Sequence, residues 1–360
     1  MRGTALGHRH SSPTRAAVAA AALASVLVVS GCSGGGSTAS PSPLPSPTDS
    51  FPVTAPAPTG SAVLSAAPKR VAALDLTSAD LTASLGGSLV GAPSPGFPAV
   101  WFNEQLTTTG LTPARYHEVP GLAVGPVANL DPDLVLAAHD TLPDDLVDRY
   151  DEDGATVISS PRLTAADWKE RTREVGRILG LSASAETLVA DTTRELSSQG
   201  EVYPDLVGKS FLVLDVAPAT DARIQVHTSR SGQVQFLESV GMRPAPAMTA
   251  VDGQNPDSDR VGVPAATAGT LDADVVVINL PNQRSTEFLS EDENVRQIPA
   301  LVRGRGALVQ TDPTVRQALA AATPNSFRWA VTAILPRIAE TAYRVGHPEA
   351  TSAPTSTPTG

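Results

Sequence analysis

The feature that most constrains the fold is one long helical segment, residues 165–199, with strands and helices alternating on both sides of it. Trp168, Val175 and Leu179 fall on one face of this segment, and the pattern breaks near Gly180. Short runs typical of buried strands lie at residues 70–74, 88–91, 134–138, 156–158, 210–216, 224–227, 274–278 and 307–310. Helical patterns separate most of these runs, an order typical of βαβ units. The sequence therefore predicts an α/β fold with two Rossmann-like lobes, each with a parallel sheet, bridged by a long helix.

The first 32 residues have the features of an export signal. A basic segment precedes a run of small and apolar residues, 16–29, which ends in Ser30-Gly31-Cys32, and Cys32 is the only cysteine in the chain. The run is too short to cross a bilayer, which takes about 20 apolar residues. Because the pattern resembles a lipobox, we predict that residues 1–31 are a signal peptide and that Cys32 is lipidated. The alternative is an ordinary secretory signal that leaves an unpaired thiol.

Composition divides the rest of the chain into a folded body and two polar ends. Residues 32–60 are rich in Gly, Ser, Pro and Thr, which predicts a disordered tether, and residues 346–360 read as a similar tail. Between them we predict an N-terminal lobe over residues 61–164, a bridging helical segment over 165–200 and a C-terminal lobe over 201–345. Each lobe is long enough to have its own core.

Charge and motifs exclude several functional classes. The net charge of -11 argues against a nucleic-acid partner, which needs a basic surface. The chain has no Gly-x-Ser-x-Gly, no Gly-x-x-x-x-Gly-Lys and no His-Glu-x-x-His motif, so we predict that it is not an enzyme. The six histidines are scattered. We therefore expect no protein-bound cofactor or metal, and any metal would arrive already chelated.

Several short motifs occur in an order that resembles one family of binding proteins. They are Arg70–Asp75, Ala79–Leu81, Val90–Gly91, Val124–Pro126, Asp131–Val135, Val175–Gly180, Phe236–Leu237, Val240–Gly241 and Leu271–Val276. Over roughly residues 69–345 they resemble the iron-siderophore and vitamin B12 class of ABC-transporter substrate-binding lipoproteins. The resemblance implies the class III periplasmic-binding-protein fold, in which a helical backbone holds two lobes around a metal chelate.

The resemblance also implies which side chains contact the chelate in the first lobe. Aromatic residues make up only 4% of the chain, so Trp101 and Tyr116 stand out in expected cleft loops. Asp75, Ser78 and His139 follow the carboxyl ends of strands, where open α/β sheets bind ligands. We expect all five to line the cleft. The alternatives are core packing for Trp101 and a loop position with satisfied hydrogen bonds for His139.

Three residues of the second half complete the predicted site. Arg230 lies between a strand and a helix, where an anion-binding side chain is useful, although a solvated loop arginine is the alternative. Asn282 follows the strand at residues 274–278, and Arg328 opens the final helical segment. We expect these three side chains to face the cleft from the second lobe.

An ABC permease is the second partner that the resemblance implies. Members of the family usually expose a glutamate on each lobe for docking, in segments that correspond to residues 127–132 and 264–269. Neither segment of this chain contains glutamate. Glu118, Asp131 and Asp257 are the candidate substitutes.

The complete functional prediction is a monomeric, extracytoplasmic lipoprotein on the cell membrane that captures a ferric siderophore or similar chelate and delivers it to a permease. The missing glutamates support one alternative, a sensor or scaffold lipoprotein that has lost transporter docking. A second alternative is a receptor for haem or cobalamin.

Overall fold

The structure is a computed structural model that describes residues 45–58, 60–117, 124–138, 142–159, 167–218 and 223–351. The predicted signal peptide, Cys32, Glu118 and His139 lie outside these ranges. Among the described residues, no helix has both the length and the apolar character needed to cross a membrane.

An antiparallel hairpin, strands β1 (Val53–Ala57) and β2 (Gly60–Leu64), precedes the first lobe. Ala55 and Leu64 are buried in the same core as the first lobe's sheet, with Phe51 packed against it. The prediction that residues up to 60 form a disordered tether is therefore wrong from residue 45 onward. The composition of this segment did not reveal the hairpin, because a few apolar side chains are enough to dock a short segment on an existing core.

The first lobe is built on a fully parallel five-stranded sheet, as predicted. Its strands and helices are β3 (Val71–Ala73), α1 (Leu76–Leu85), β4 (Leu89–Ser94), α2 (Val100–Thr109), β5 (Ala114–His117), α3 (Val124–Ala128), β6 (Leu134–Ala137), α4 (Asp144–Glu152) and β7 (Thr156–Ser159). The strand order is β5-β4-β3-β6-β7. The chain therefore moves outward in opposite directions from β3 and β6, which makes the carboxyl ends of these two strands a switch point where ligands commonly bind.

Two helices, α5 (Trp168–Leu179) and α6 (Ser182–Val202), form the bridging segment. Gly180 ends α5 in a left-handed conformation with φ 74°, which glycine adopts without steric cost. The break predicted near Gly180 is confirmed, and it makes the bridge two consecutive helices rather than one long helix.

The second lobe contains a six-stranded sheet and seven α-helices in the described ranges. These elements are β8 (Ser210–Asp215), β9 (Arg223–His227), α7 (Gly232–Ser239), β10 (Arg243–Pro244), α8 (Pro246–Gln254), β11 (Arg260–Pro264), β12 (Val275–Asn279), α9 (Gln283–Glu291), α10 (Pro299–Val302), β13 (Ala307–Gln310), α11 (Pro313–Ala321), α12 (Pro324–Ala333) and α13 (Leu335–Gly346).

This second sheet is mixed, which corrects the prediction of a parallel sheet in each lobe. Strand β9 runs antiparallel to both β8 and β11, whereas β12 is parallel to β8 and β13. The cause is the connection between β8 and β9, residues 216–222. It is shorter than the dozen or so residues that a parallel crossover needs, so the chain turns back as a hairpin.

The chain returns to the first lobe near its carboxyl end. Ala318 and Ala321 of α11, with Trp329 of α12 packed alongside, share a hydrophobic core with Trp101 and Phe102 of α2. A polar cluster lies beside it, in which Asp80 accepts hydrogen bonds from Thr323 and Asn325. We call these three residues the Asp80 cluster. The two lobes are therefore joined by packing and hydrogen bonds in addition to the bridging helices.

Candidate functional site

Polar residues end neighbouring strands of the second sheet at its carboxyl edge. Asp215 of β8, Asn279 of β12 and Gln310 of β13 are paired in register across the three parallel strands. Equivalent positions on neighbouring strands face the same side of a sheet. The row therefore places three hydrogen-bonding side chains where ligands bind in open α/β sheets.

Asp215 lies at one end of this row, and three side chains surround its carboxylate. Its carboxylate lies 2.9 Å from Nε2 of His227 and accepts hydrogen bonds from Asn279 at 2.8 Å and from Arg260 at 3.2 Å. Burial alone raises the pKa of Asp215, but its hydrogen bonds and the neighbouring His227 outweigh that effect and lower the pKa to about 2. Asp215 is therefore ionised throughout the physiological range.

His227 connects this carboxylate to the start of a helix. Its Nδ1 lies 2.6 Å from Oγ of Ser231, and that hydroxyl also accepts a hydrogen bond from the backbone N–H of Gln233 as the N-cap of α7. His227 and Ser231 are both buried. This series of hydrogen bonds, from Asp215 through His227 to Ser231, therefore fixes the orientation of the loop that carries Arg230.

A pocket of about 640 Å³ lies beside these groups. Its charged lining consists of Arg171, Arg230, Arg260 and Arg316 with Asp215 and Asp259, and His227 also lines it. Arg171 comes from the bridging helix α5 and is only 5% exposed, so the bridge contributes directly to the wall. Positive side chains outnumber negative ones, which favours an anionic ligand.

Of the predicted site residues, Arg230 lies in this pocket. Its Nε donates a hydrogen bond to the carbonyl of Pro256 at 2.5 Å, and Asp257 lies 3.6 Å from its guanidinium group. These two contacts hold the Arg230 side chain at the rim of the pocket, where 35% of its surface remains exposed to solvent.

Asp75 and Ser78 lie at the switch point of the first sheet, but their side chains point into the protein. Asp75 caps α1 by accepting hydrogen bonds from the N–H and the hydroxyl of Ser78, both at 2.7 Å. The Ser78 hydroxyl accepts a hydrogen bond from the N–H of Ala138 at 2.6 Å. Both side chains are buried, so the prediction that they face a ligand is corrected: they hold the ends of β3 and β6 together.

The two predicted aromatic contacts are also buried. Trp101 has no exposed surface and packs against Phe97 and Trp329, with ring centroids 6.1 and 5.9 Å away. The hydroxyl of Tyr116 donates a hydrogen bond to the carbonyl of Ala73, and burial raises its pKa. Both residues are core residues, which corrects the cleft assignment. Scarcity in the sequence made them conspicuous, but large aromatic rings are also what a core requires.

Asn282 and Arg328 lie away from this pocket, contrary to prediction. Asn282 caps α9 by accepting a hydrogen bond from the N–H of Ser285 at 3.0 Å. Arg328 pairs with Glu195 of α6 at 2.9 Å and lines a separate concavity beside Gly86. Asn282 acts at a helix start, and Arg328 joins α12 to the bridge.

Sequence reasoning missed Asp215, His227, Arg260 and Arg316. The available signal was positional, because His227 ends the predicted strand 224–227 and Asp215 is the second-last residue of the predicted strand 210–216. Their contact depends on the antiparallel pairing of β8 and β9, which was not predicted. Within the described ranges, no group of three or more His, Cys, Asp or Glu side chains is arranged to hold a metal ion.

Several solved structures have the same fold as this chain. PiaA of Streptococcus pneumoniae TIGR4, an iron uptake ABC transporter substrate-binding protein, has a TM-score of 0.69 and 21% identity over 81% of this chain and 99% of its own. PiaA in complex with ferrichrome has a TM-score of 0.67 and 20% identity over 81% of this chain and 98% of its own. A periplasmic solute binding protein from Mycobacterium smegmatis has a TM-score of 0.65 and 21% identity over 81% of this chain and 99% of its own. Staphylococcus aureus SirA complexed with staphyloferrin B has a TM-score of 0.60 and 16% identity over 77% of this chain and 96% of its own.

No curated protein sequence matches the chain. The model of one protein family, described as periplasmic binding protein, matches residues 71–308. This match confirms the resemblance found in the sequence, and it supports a binding protein rather than an enzyme, working outside the cytoplasm. The chain belongs to the periplasmic binding protein family.

Proposed function

We propose that the protein captures a ferric siderophore or a similar metal chelate and delivers it to an ABC permease, while Cys32 anchors it to the membrane through lipid. The observation that carries this proposal is the arginine-lined pocket at the carboxyl edge of the second sheet. Its volume is in the range of small-molecule sites, about 300–1,000 Å³. The relatives that were solved with ferrichrome or staphyloferrin B have the same fold.

Direct calorimetric titration of the purified protein tests ligand capture. The ligands are ferric hydroxamate, catecholate and citrate chelates, together with haem and cobalamin, and the iron-free chelators are the controls. We expect saturable binding of at least one ferric chelate and weaker binding to Arg230→Ala. Calorimetry is preferable to tryptophan quenching because Trp101 is fully buried. Flat titrations for every ligand would refute capture and favour the sensor or scaffold function.

The resemblance to the family implies that permease docking uses an exposed acidic side chain on each lobe. Asp257 is the better substitute for the missing glutamate on the second lobe, because its side chain is 94% exposed beside Arg230. Asp131 precedes β6 and so belongs to the opposite edge of the first sheet from the strand ends that bind ligands. Asp257→Asn is expected to slow uptake in cells, and calorimetry on the same variant separates lost docking from any change in chelate binding that acts through Arg230. Normal uptake by this variant would remove Asp257 from the docking surface.

The lipid anchor is tested separately. Cys32→Ser is expected to release the protein from the membrane fraction, and mass spectrometry of the native protein is expected to show acyl chains on the amino-terminal peptide. Retention of Cys32→Ser in the membrane fraction would contradict the anchor without affecting ligand capture.

A further inference from the structure

The turn between α11 and α12, residues 321–325, lies where the two lobes meet, and we call it the α11–α12 turn. It is fixed to the second lobe because the end of α11 packs directly against the start of α7. A Cβ at Gly232 would lie 2.1 Å from the carbonyl oxygen of Leu319 and 2.7 Å from the Cβ of Ala322. Backbones this close leave no free volume between them, so α11 moves together with α7.

Hydrogen bonds attach the same turn to the first lobe. Oγ1 of Thr323 donates to the carboxylate of Asp80, and Nδ2 of Asn325 donates to the same carboxylate at 2.8 Å. Nδ2 of Asn325 also donates to the carbonyl of Trp101 at 3.0 Å. Asp80 has no exposed surface, so these donors supply the hydrogen bonds that water would otherwise give its charge. Displacing the lobes here would leave a buried carboxylate without them.

The backbone of the α11–α12 turn is strained. Ala322 has φ 49° and ψ 57°, a left-handed conformation that is unfavourable for a residue with a Cβ. Contacts on both sides hold it there. The carbonyl of Ala321 accepts a hydrogen bond from Oγ1 of Thr77 at 3.2 Å, and Thr323 on the other side donates to Asp80. A strained backbone persists only where its surroundings fix it, so the turn would relax if these contacts were lost.

The apolar contact between the lobes, in contrast, does not define a single position. Ala318 and Ala321 of α11 join the first-lobe core through methyl groups, which offer no protruding side chain to interlock. Trp329 packs on Trp101 with ring centroids 5.9 Å apart, within the range of about 4.5–7 Å over which aromatic pairs are favourable. Packed helices with such contacts can slide by small shear displacements. Directional hydrogen bonds, however, are satisfied at one position only.

We propose that the Asp80 cluster is an inter-lobe lock: it holds the second lobe at one position on the first, and the lobes slide at their alanine contact once it is broken. Buried polar groups specify one arrangement of packed elements in some proteins. Ala322 and Arg171 of the bridge both line the pocket at the second sheet, so the lock also fixes that wall. The proposal goes beyond chelate capture, and its test needs no ligand.

A distance measurement by double electron–electron resonance between two spin labels tests the lock. Cys32 is the only cysteine in the chain, so the full chain carrying Cys32→Ser accepts labels only where cysteines are introduced. Asp148→Cys on α4 and Thr286→Cys on α9 change exposed helical positions, one in each lobe. The distance between the two labels therefore reports the relative position of the lobes.

We expect one narrow distance in this doubly labelled protein. Thr323→Val and Asn325→Ala each remove a donor to Asp80, and in each variant we expect a second, shifted distance that reports displaced lobes. Thr332→Val is the matched control, because Thr332 lies on the exposed side of the same helix α12 and its hydroxyl donates to the carbonyl of Trp329 in that helix. The control should keep the single distance.

Three results would overturn the lock. They are two distances before any lock residue is changed, an unchanged single distance in both folded lock variants, and a second distance in Thr332→Val. Circular dichroism shows whether each variant is folded. Asn325 is half-buried whereas Thr323 is fully buried, so Asn325→Ala provides an independent test if Thr323→Val does not fold. Because no chelate is present, the result does not depend on whether the proposed function is correct.

Discussion

Asp80 makes the stability of the protein depend on pH in a direction opposite to most carboxylates. It is fully buried on α1 and accepts hydrogen bonds from Thr323 Oγ1 and, at 2.8 Å, from Asn325 Nδ2. Burial raises the pKa of Asp80 from 3.8 to about 6, although the hydrogen bonds from Thr323 and Asn325 act in the other direction. The perturbation we consider is Asp80→Asn, which keeps the shape and removes the charge.

The size of the effect follows from the difference in pKa between the folded and unfolded chain. Because the folded pKa is the higher one, the folded state binds more protons between pH 3.8 and about 6. The contribution of Asp80 to stability is therefore fully present below pH 3.8 and is lost as pH rises through 6. Two pKa units correspond to a total loss of about 3 kcal/mol at neutral pH, of which about 2 kcal/mol falls between pH 4 and 7.5.

The assay is urea unfolding of the wild type and Asp80→Asn at pH 4, 5.5 and 7.5, followed by circular dichroism. The free energy of unfolding of the variant, relative to the wild type, is expected to rise by about 2 kcal/mol over this range. Taking the difference cancels other titrating groups, and Asp215 titrates below the range. Thr323→Val, which removes a donor to the carboxylate, is expected to steepen the dependence. A difference that stays constant with pH would refute the reasoning.

Two further substitutions test the packing that supports the site and the bridge. A Cβ at Gly232 would lie 2.1 Å from the carbonyl oxygen of Leu319, so Gly232→Ala should lower the free energy of unfolding by about 3 kcal/mol, whereas Gly253→Ala, with no atom within 4 Å, should not lower it. Thermal melts compare the two, and equal stability would contradict the close approach of α7 and α11. Asp49 accepts hydrogen bonds from the N–H and hydroxyl of Ser182 at the start of α6, so Asp49→Ala should cost about 1 kcal/mol in urea unfolding. No change would contradict the docking of residues 45–58 on the bridge.

Local signals in the sequence predicted much of the fold. The strand β13 was predicted with the bounds that the structure shows, and the helix break near Gly180 was predicted because the hydrophobic pattern changes there and glycine commonly ends a helix. Such features depend on a few neighbours in the chain.

The candidate site depended on contacts that sequence reasoning did not reach. Asp215 and His227 meet through antiparallel pairing, and Arg171 and Arg316 approach the same pocket from helices far apart in the chain. The opposite error occurred for Trp101, whose rarity in the chain suggested a ligand contact although its surroundings are core. A residue type reports what a side chain is able to do, whereas burial is decided by tertiary packing.

The docked hairpin also limits how far the binding body can travel from the lipid anchor proposed at Cys32. Thr48 donates its N–H to the carbonyl of Gly180, and Pro45 lies against Gly86, so the chain is already in contact with the body at residue 45. Thirteen residue steps separate Cys32 from Pro45, a contour of at most about 45 Å, compared with about 95 Å for the twenty-eight steps to residue 60. The shorter connecting segment would reduce by about ninefold the greatest volume that the receptor can sweep, and so would raise its local concentration around a permease in the same patch of membrane.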